Sequence, residues 1–326
     1  MATMSSFQER MENYRGIINE RLHGVANKPN PTSFYEPVRY VLEAGGKRIR
    51  PILVILSCQA VGGKLESCLD AAVAVEILHN FTLVHDDIMD RDDLRRSRMT
   101  VHKKWDEATA ILAGDGLVAL AYHYLLKTEH VDLKEIADIF TDGIIDVCEG
   151  QALDKEYEGR FDIGLNQYLE MIEKKTARLL MIASEIGAII GGANQNERAI
   201  LVEYSRQLGN AFQIQDDLLD METTSGKTFG SDIKRKKRTL LLVHAFEHAN
   251  ASIRETLWQI IHQPDITDAD VMKVRDLLDA CGTLRFAGQQ VQLRIDQAKQ
   301  LLRELPTSEA RNDLMQLLDW ILMRKS

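Results

Sequence analysis

Apolar residues recur along most of the chain at the three- and four-residue spacing of amphipathic helices. These segments run for 12–25 residues and end at Gly, Asn or Pro, and the sustained apolar–polar alternation of strands is missing. No Pro- or Ser-rich linker divides the chain, so the pattern predicts one all-α domain over residues 1–326. The predicted helices cover residues 5–24, 33–45, 49–61, 67–91, 105–128, 132–157, 165–192, 195–221, 238–262, 267–280, 282–304 and 307–324.

Two of the long predicted helices end in clusters of aspartates. The first cluster, in LVHDDIMDRDDLRR at residues 83–96, places Asp86 and Asp90 one helical turn apart, so both carboxylates project from one face. At ~5 Å and an effective dielectric constant near 20, such a pair repels by roughly 3 kcal/mol. The cluster therefore needs cations, either metal ions or basic side chains, to offset the repulsion.

The second cluster repeats the DDxxD spacing in FQIQDDLLDMETTSGK, 130 positions downstream (216 − 86), at Asp216, Asp217 and Asp220. Carboxylate oxygens at i, i+1 and i+4 suit Mg²⁺, which prefers hard oxygen ligands and binds phosphate oxygens while keeping several waters. A single DDxxD is also typical of an exposed helix face. Two copies, each ending a long apolar helix, instead favour metal-assisted binding of a polyphosphate.

Basic residues accompany both clusters. GGKRIRP at residues 45–51 is a glycine-permitted turn with three cations in four residues, and it lacks the GxxxxGK[ST] spacing of a P-loop. Arg95 and Arg96 follow the first cluster, and Lys227 and residues 234–238 follow the second. Alone, such residues are typical of a solvated surface. Beside metal-binding carboxylates they favour diphosphate binding, because Arg forms bidentate hydrogen bonds and Lys supplies a point charge.

The composition narrows the class of protein. The 40 Lys and Arg residues against 49 Asp and Glu give a net charge of -9, which argues against general nucleic-acid binding. The four cysteines are scattered without a CxxC pair, which indicates free thiols in a reducing compartment rather than a zinc site. The first residues lack the apolar core of a signal peptide, and Asp115 and Glu185 interrupt the longest apolar stretches. We therefore expect a cytoplasmic protein without a transmembrane segment.

From about Phe34 to Leu242, the motifs resemble those of the trans-type isoprenyl diphosphate synthases, the polyprenyl synthetase family. In the family's order and spacing they are GGKRIRP, EILHNFTLVHDDIMDRDDLRR, GQALD, KKTA and FQIQDDLLD with the later GKTFGSDIKRKKRT. The resemblance implies a single bundle of long antiparallel helices around a central cavity, and a homodimer. It also implies an Mg²⁺-dependent prenyltransferase that condenses isopentenyl diphosphate with dimethylallyl, geranyl or farnesyl diphosphate.

The resemblance also implies a role for each matched residue. The diphosphate of isopentenyl diphosphate would be bound by Lys47, Arg50, His79 and Arg96. The allylic diphosphate would be bound by Arg95, Lys175, Lys227 and Lys237. Three Mg²⁺ ions would bridge that diphosphate to Asp86, Asp90, Asp216 and Asp220. Lys175 would act in catalysis together with Thr176 and Gln213, which would present oxygens to the allylic carbocation. Gln151 and Asp154 match the GQxxD segment of the family, without a direct role assigned.

The chain departs from the family pattern in two loops. Where the family has RRGxPT, residues 95–100 read RRSRMT, so we expect a loop of different shape. Where the family has EGKxT, residues 235–239 read RKKRT, and Lys236 replaces a flexible glycine. Neither departure removes an expected phosphate or metal ligand, so we expect an active enzyme.

Product length should depend on the depth of the apolar pocket below Asp86. On an ideal helix Thr82 shares the face of Asp86, whereas Phe81 lies about 140° round, so geometry alone indicates a small residue and a deep pocket. The resemblance points the other way. An aromatic Phe81, a non-aromatic Thr82 and an uninserted DDxxD resemble short-chain synthases that make the C20 geranylgeranyl product, with farnesyl (C15) synthesis as the nearest alternative.

Three further classes fit part of the pattern. Glu76 and His79 form an ExxH that suggests a diiron carboxylate bundle, but such a bundle needs a second ExxH and two further glutamates on matching helices, a full set that the sequence does not supply. A class I terpene cyclase would share the DDxxD and has no need for GGKRIRP. A non-catalytic subunit of a heteromeric synthase would be expected to have lost acidic or basic ligands, and none is missing here.

Overall fold

A computed structural model describes residues 2–130, 132–222 and 229–322, with side chains from residue 7 to residue 320. Within these ranges the chain is helical apart from one two-stranded hairpin, which confirms the all-α prediction. The helices are α1 (Ala2–His23), α2 (Thr32–Leu42), α3 (Ile49–Ala60), α4 (Leu65–Asp90), α5 (Val101–Lys104), α6 (Glu107–Leu125), α7 (Leu133–Tyr157), α8 (Leu165–Ile172), α9 (Arg178–Ile190), α10 (Gln195–Asp220), α11 (Ser231–Lys234), α12 (Leu240–His248), α13 (Ala251–Ile261), α14 (Asp268–Ala280), α15 (Thr283–Leu302) and α16 (Glu309–Leu322).

The chain forms two compact units. Over their described residues, the first comprises Met1–Phe140, Ile182–Leu201 and Leu305–Leu314. The second comprises Thr141–Met181, Val202–Glu304 and Met315–Ser326, again over the described residues. The first unit contains the first acidic cluster and the GGKRIRP turn, and the second unit contains the second cluster and the KKTA segment. The single domain expected over residues 1–326 stays a prediction.

Helix α4 is the central element of the first unit and packs against α3 and α6. Its apolar residues from Cys68 to Leu78 are buried all round the helix, because Val, Ala, Leu and Ile occupy every face there. The helix ends where Arg91 adopts a left-handed conformation (φ 55°) and bonds back to the carbonyls of Asp87 and Ile88. The last turn before this stop carries the first acidic cluster.

Two helices, α4 and α6, are long and apolar enough to cross a bilayer by length and composition alone. Core helices of globular proteins pass the same criterion. In α4, 67% of the 18-residue apolar stretch is buried inside the protein, whereas in α6 only 33% of the corresponding stretch is buried. Burial inside the protein therefore accounts for the apolar character of α4 and leaves part of α6 exposed. The absence of a transmembrane segment and the cytoplasmic location stay predictions.

The last turn of α10 lies in the second unit and carries the second acidic cluster up to Asp220. Helix α12 packs against α8 and α15, and α14 packs against α13 and α15. Between α8 and α9 the helical path widens into a single π-helical turn over Glu173–Ala177. Wide turns of this kind are frequent at functional sites, and this one holds the KKTA segment.

Two long helices predicted from the sequence are interrupted. The helix predicted over residues 238–262 is two helices, because Asn250 caps α13 by accepting a hydrogen bond from the Ile253 amide at 3.0 Å. The apolar pattern runs through this break and hides it. The helix predicted over residues 165–192 is divided by the π-helical turn. The hairpin and the four-residue helices α5 and α11 were not predicted.

The hairpin occupies the first loop that departs from the family pattern. Its strands β1 (Leu94–Arg95) and β2 (Arg98–Met99) are antiparallel and are joined by Arg96 and Ser97, with φ of 53° and 59°. Two positive φ angles in a two-residue connection are typical of a type I′ turn, which glycine favours at low cost. Ser97 therefore occupies a left-handed position at the place where the family pattern has glycine.

Lys236, in the second departing loop, also adopts a left-handed conformation, with φ of 58°. Because a Cβ is disfavoured there, we expect Lys236→Gly to raise the free energy of unfolding by about 1 kcal/mol. Urea denaturation followed by circular dichroism measures the change. Arg235→Gly is the matched control: its φ of -84° suits any residue, so added chain flexibility should lower stability instead. Destabilisation by Lys236→Gly would contradict the proposed strain.

Candidate active site

In the first unit, Arg95 of the hairpin pairs with the first acidic cluster at the end of α4. Its Nη2 lies 2.6 Å from Asp87 Oδ1, 3.2 Å from Asp92 Oδ2 and 3.8 Å from Asp86 Oδ2. One guanidinium thus offsets part of the repulsion that the sequence predicts. The carboxylates are also at a helix C-terminus, whose dipole favours cations at this position.

The aspartates of the first cluster occupy different environments. Asp87 is buried, and burial raises its pKa to about 6, although the charge of Arg95 acts in the opposite direction. Asp86 and Asp90 are only half-buried and remain one turn apart, as predicted. Asp87 is therefore a partner of Arg95, and Asp86 and Asp90 are the carboxylates of this cluster best placed to meet a ligand.

The donor set fits Mg²⁺ bound together with a phosphate group. Among the described residues, no three or more His, Cys, Asp or Glu side chains are grouped to hold a metal ion by themselves. Mg²⁺ does not need such a cage, because one or two carboxylates suffice when phosphate oxygens and water complete its octahedron. Asp86 and Asp90 supply carboxylates of this kind.

Arg50, in the first turn of α3, pairs with His79 of α4, with Arg50 Nη1 3.1 Å from His79 Nε2. Burial lowers the pKa of Arg50 to about 10. Burial and the nearby arginines hold the pKa of His79 well below its ordinary value, so the ring is neutral at pH 7. Because guanidinium only donates, Nε2 accepts and the ring proton is on Nδ1. That buried Nδ1 and Arg50 Nε have no hydrogen-bond partner within the described chain, as expected of groups that meet a ligand.

Arg96 reaches from the hairpin to the GGKRIRP turn. Its Nη1 donates to the carbonyl of Gly45, and a Cβ on Gly46 would lie 2.9 Å from its Cζ. Gly46 has a φ of 128°, which glycine alone adopts readily. The first unit therefore brings Arg96 to the turn that carries Lys47, as the predicted binding group for isopentenyl diphosphate requires.

In the second unit, Asp217 anchors α10 through three hydrogen bonds. Its Oδ2 accepts from Tyr168 Oη at 2.7 Å and from the Leu240 amide at 2.9 Å, and its Oδ1 accepts from Gln213 Nε2 at 3.1 Å. Burial raises the pKa of Asp217 to about 7, and these hydrogen bonds oppose the rise. Tyr168 was not predicted as part of the site, because nothing in its local sequence indicates a partner 49 residues away.

Thr176 and Gln213, predicted to face the allylic carbocation, are in direct contact. Thr176 Oγ1 donates to Gln213 Oε1 at 2.9 Å, and Gln213 in turn donates to Asp217. Thr176 belongs to the π-helical turn. The side-chain amide of Gln213 is thus oriented from both ends, which fixes where its oxygen and that of Thr176 are presented.

Asp216 and Asp220 differ in their surroundings. Asp216 is half-buried, whereas Asp220 is buried and bonds to the first residues of α11. Asp220 Oδ1 accepts from the amide and hydroxyl of Ser231, at 3.0 and 2.7 Å, and its Oδ2 accepts from the Asp232 amide at 3.1 Å. Asp220 thus caps α11, and its role as a metal ligand stays a prediction.

Two of the lysines expected at the allylic diphosphate share one carboxylate. Lys175 Nζ donates to Asp154 Oδ2 at 2.6 Å, and Lys237 Nζ lies 3.7 Å from the same oxygen. A Cβ on Gly150 would lie 2.3 Å from the Lys175 amide nitrogen, so only glycine lets α7 approach the π-helical turn this closely. These contacts give the GQALD segment a structural role, and Lys227 lies outside the described residues.

Phe81 and Thr82, the predicted chain-length residues, are both half-buried on α4. The ring of Phe81 is edge-on to His85, with centroids 4.8 Å apart. Thr82 Oγ1 donates to the His79 carbonyl at 2.8 Å, so its hydroxyl is turned back onto its own helix. Their control of product length stays a prediction.

Glu76 is not a metal ligand in this fold. Its Oε1 accepts from Arg48 Nη1 at 2.6 Å and from Asn80 Nδ2 at 3.4 Å, and its side chain is 2% exposed. Within the ExxH, Glu76 thus forms an ion pair with Arg48, and His79 contacts Arg50. The diiron alternative is therefore excluded for this pair.

The sequence profile described as polyprenyl synthetase matches residues 31–278, which carry both acidic clusters and all the basic motifs. The chain belongs to the polyprenyl synthetase family. The geranylgeranyl diphosphate synthase of Methanosarcina mazei is 41% identical over 322 residues, covering 97% of this chain and 98% of that protein. The (2E,6E)-farnesyl diphosphate synthase of Mycobacterium bovis is 36% identical, covering 77% of this chain and 72% of that protein. The crystal structure of geranylgeranyl pyrophosphate synthetase from Pyrococcus horikoshii matches with a TM-score of 0.94 and 36% identity over 99% of both chains.

These similarities confirm three predictions made from the sequence. The family is the one that the motifs resembled, the fold is all-α, and a polyprenyl synthetase is a transferase, which confirms an enzyme. A short-chain prenyltransferase is also confirmed, because the similar proteins include several geranylgeranyl diphosphate synthases. The residues that bind metal and substrate in this polyprenyl synthetase stay predictions.

Proposed function

We propose that this polyprenyl synthetase condenses isopentenyl diphosphate head-to-tail with an allylic diphosphate to give geranylgeranyl diphosphate. The observation that carries the proposal is a second cation group, formed by Lys47, Arg50 and Arg96, that adjoins the first acidic cluster. The two are linked by neighbouring residues of the hairpin, since Arg95 pairs with Asp87 and Arg96 donates to the carbonyl of Gly45. A class I terpene cyclase binds one diphosphate and has no use for a second cation group. Identity of 41% to a geranylgeranyl diphosphate synthase supports the same reaction.

The proposal assigns the residues as follows. The diphosphate of isopentenyl diphosphate is bound by Lys47, Arg50, His79 and Arg96. The allylic diphosphate is bound by Arg95, Lys175, Lys227 and Lys237. Three Mg²⁺ ions are held by Asp86, Asp90, Asp216 and Asp220. In support, Asp154 already aligns Lys175 and Lys237, and Arg96 already reaches the GGKRIRP turn.

The reaction begins as the allylic C–O bond breaks and the diphosphate leaves with the electron pair. Mg²⁺ held by the aspartates would supply Lewis-acid chemistry to that leaving group. Lys175 and Lys237, aligned by Asp154, add fixed positive charge at the leaving oxygens. Thr176 and Gln213 present oxygens that stabilise the allylic carbocation, and their mutual hydrogen bond fixes these oxygens before the reaction.

The second half of the reaction forms the new carbon–carbon bond. Arg50 and His79 hold isopentenyl diphosphate so that its double bond attacks the allylic carbocation. The resulting tertiary cation loses a proton to the released diphosphate, since none of the described side chains proposed for the site stands out as a dedicated base. Apolar residues of α4 exclude the water that would otherwise quench either cation.

The C20 length is the finer part of the proposal. It rests on the bulky Phe81 five residues before Asp86 and on geranylgeranyl diphosphate synthases among the similar proteins. Farnesyl diphosphate is the second candidate, because a farnesyl diphosphate synthase is 36% identical over 258 residues.

We also propose that α6 forms a homodimer interface with a second copy of the chain. The helix is apolar, yet Ile111 and Leu112 are 45% and 52% exposed, and Leu126 just beyond its end is 56% exposed. On an ideal helix these three side chains lie within about 100° of one another, so they share one face, as a self-complementary two-fold interface requires.

Leu112→Asp is expected to shift the protein from dimer to monomer, because a charge in an apolar interface is costly to desolvate. Light scattering coupled to size-exclusion chromatography measures the change. Leu293→Asp is the matched control, because Leu293 is 49% exposed on α15, a helix that the proposed interface does not include. A wild-type protein that is already monomeric at micromolar concentration would contradict the proposal.

Incubating the purified chain alone with isopentenyl diphosphate and each allylic starter tests the proposed activity, with Mg²⁺ and with a chelator. We expect Mg²⁺-dependent formation of prenyl diphosphates. A cyclised hydrocarbon product would support a terpene cyclase instead. Turnover that appears only after addition of a second, different chain would support a non-catalytic subunit.

A further inference from the structure

Arg48 lies between two proposed substrate-binding residues of the GGKRIRP turn, yet its side chain is only 2% exposed. Its Nε donates to Asn19 Oδ1 at 2.9 Å, its Nη1 to Glu76 Oε1 at 2.6 Å, and its Nη2 to the Leu42 carbonyl at 2.7 Å. The three partners belong to α1, α4 and α2. One side chain therefore connects the turn to three separate helices of the first unit.

The backbone conformation of Arg48 is also unusual. Its φ of 51° is left-handed, a conformation disfavoured for any residue with a Cβ. Helix α3 begins at the next residue, and Arg50 lies in its first turn. The conformation of Arg48 therefore sets the direction in which α3 leaves the turn, and with it the position of the Arg50 guanidinium.

A second contact runs beside the first. Glu76 and His79 are three residues apart on α4, so they share a face, and His79 Nε2 lies 3.1 Å from Arg50 Nη1. The turn and α4 are thus joined twice, by Arg48 with Glu76 and by Arg50 with His79. Burial lowers the pKa of Arg50 and of Arg96, and the charge of Glu76 opposes this shift, which favours their charged forms.

We propose that the ion pair of Arg48 and Glu76 is the positioning element for isopentenyl diphosphate. The pair fixes the turn against α4, so that Lys47, Arg50 and His79 meet one diphosphate without reorganisation. Neither Arg48 nor Glu76 touches the substrate, so both are positioning residues. The inference rests on the proposed function, which assigns this diphosphate to the first unit.

The test separates positioning from stability. Arg48→Met leaves the Glu76 carboxylate buried and unpaired, so it should lower both the melting temperature and the affinity for isopentenyl diphosphate. The double variant Arg48→Met with Glu76→Met replaces the pair by apolar side chains of similar length, which restores stability in many buried pairs. It does not restore the three hydrogen bonds that hold the turn.

We expect the KM for isopentenyl diphosphate to rise about tenfold or more in both variants, because small misplacements of binding groups have effects of this size. The KM for the allylic diphosphate should stay within about twofold, since each substrate has its own binding group. A double variant with wild-type KM for isopentenyl diphosphate would overturn the proposal. If the double variant does not fold, Arg48→Lys, which keeps one charge but cannot reach all three partners, should show the same selective rise.

Two controls make the outcome specific. Asp313→Asn weakens the ion pair of Arg10 and Asp313, where Arg10 Nε lies 2.8 Å from Asp313 Oδ2 in the same unit. It should lower the melting temperature and leave both KM values unchanged, and a rise in the KM for isopentenyl diphosphate would overturn the positioning role. Lys47→Ala tests the proposed function itself. If Lys47→Ala raises this KM and the pair variants do not, only the positioning role fails.

Discussion

Replacing Asp86 or Asp216 by alanine is expected to slow Mg²⁺-dependent condensation by about 10³-fold at saturating Mg²⁺. The reason is the loss of a hard oxygen ligand, which would remove stabilisation of the leaving diphosphate by several kcal/mol. Each residue is the half-buried first aspartate of its cluster, whereas the following aspartates, Asp87 and Asp217, are buried and paired with protein groups. Initial rates with dimethylallyl and isopentenyl diphosphate measure the effect.

Asp93→Asn provides the matched control for this loss. Asp93 is an exposed aspartate three residues after Asp90, and its Oδ1 lies 2.8 Å from Lys103 Nζ. An exposed pair of this kind contributes little to stability, so the variant should retain wild-type activity. Near-normal turnover of Asp86→Ala or Asp216→Ala with saturating Mg²⁺ would contradict the metal assignment.

The second large effect is expected on product length. Phe81→Ala removes an aromatic ring that lies edge-on to His85 on the helix carrying the first acidic cluster. If this ring closes the product pocket, its removal opens space for at least one more five-carbon unit. The main product should then shift from C20 to C25 or longer, as read by chromatography of the dephosphorylated alcohols.

Thr82→Ala distinguishes the two residues that the sequence left as rivals. Because the Thr82 hydroxyl already bonds to its own helix through the His79 carbonyl, its removal should leave the C20 product unchanged. An unchanged product profile in Phe81→Ala would show that Phe81 does not close the pocket. A longer product in Thr82→Ala would instead favour the interpretation from ideal helix geometry.

Much of the fold could be predicted because long helices carry a strong periodic signal. The ends of α4 and α10 were expected within a residue or two, and with them the two acidic clusters. Helix starts can also be local signals: at the N-cap of α14, Thr267 and Asp270 form reciprocal hydrogen bonds, a pattern contained in four residues of sequence. The break before α13 was missed, because Asn250 interrupts an apolar pattern that continues on both sides.

The candidate site, too, could be predicted only as far as its motifs are local in sequence. The sequence supplied the ligand types, since DDxxD and GGKRIRP are short, local motifs. It did not supply their partners, because Glu76 lies 28 residues from Arg48, and Tyr168 lies 49 residues from Asp217. Such contacts depend on how helices pack, and the positive φ of Arg48 has no signature in residue type. Sequence patterns therefore indicate the residues proposed to bind metal and substrate, but not the residues that hold them in position.

The most direct test of the central claim is the chain length of the product that the purified protein makes from dimethylallyl and isopentenyl diphosphate with Mg²⁺. Mass spectrometry after chromatographic separation measures it. We expect geranylgeranyl diphosphate as the main product, and no product when the metal is chelated. A reaction that stops at farnesyl diphosphate would contradict the C20 assignment, and an absence of condensation with all three allylic starters would contradict the proposed activity.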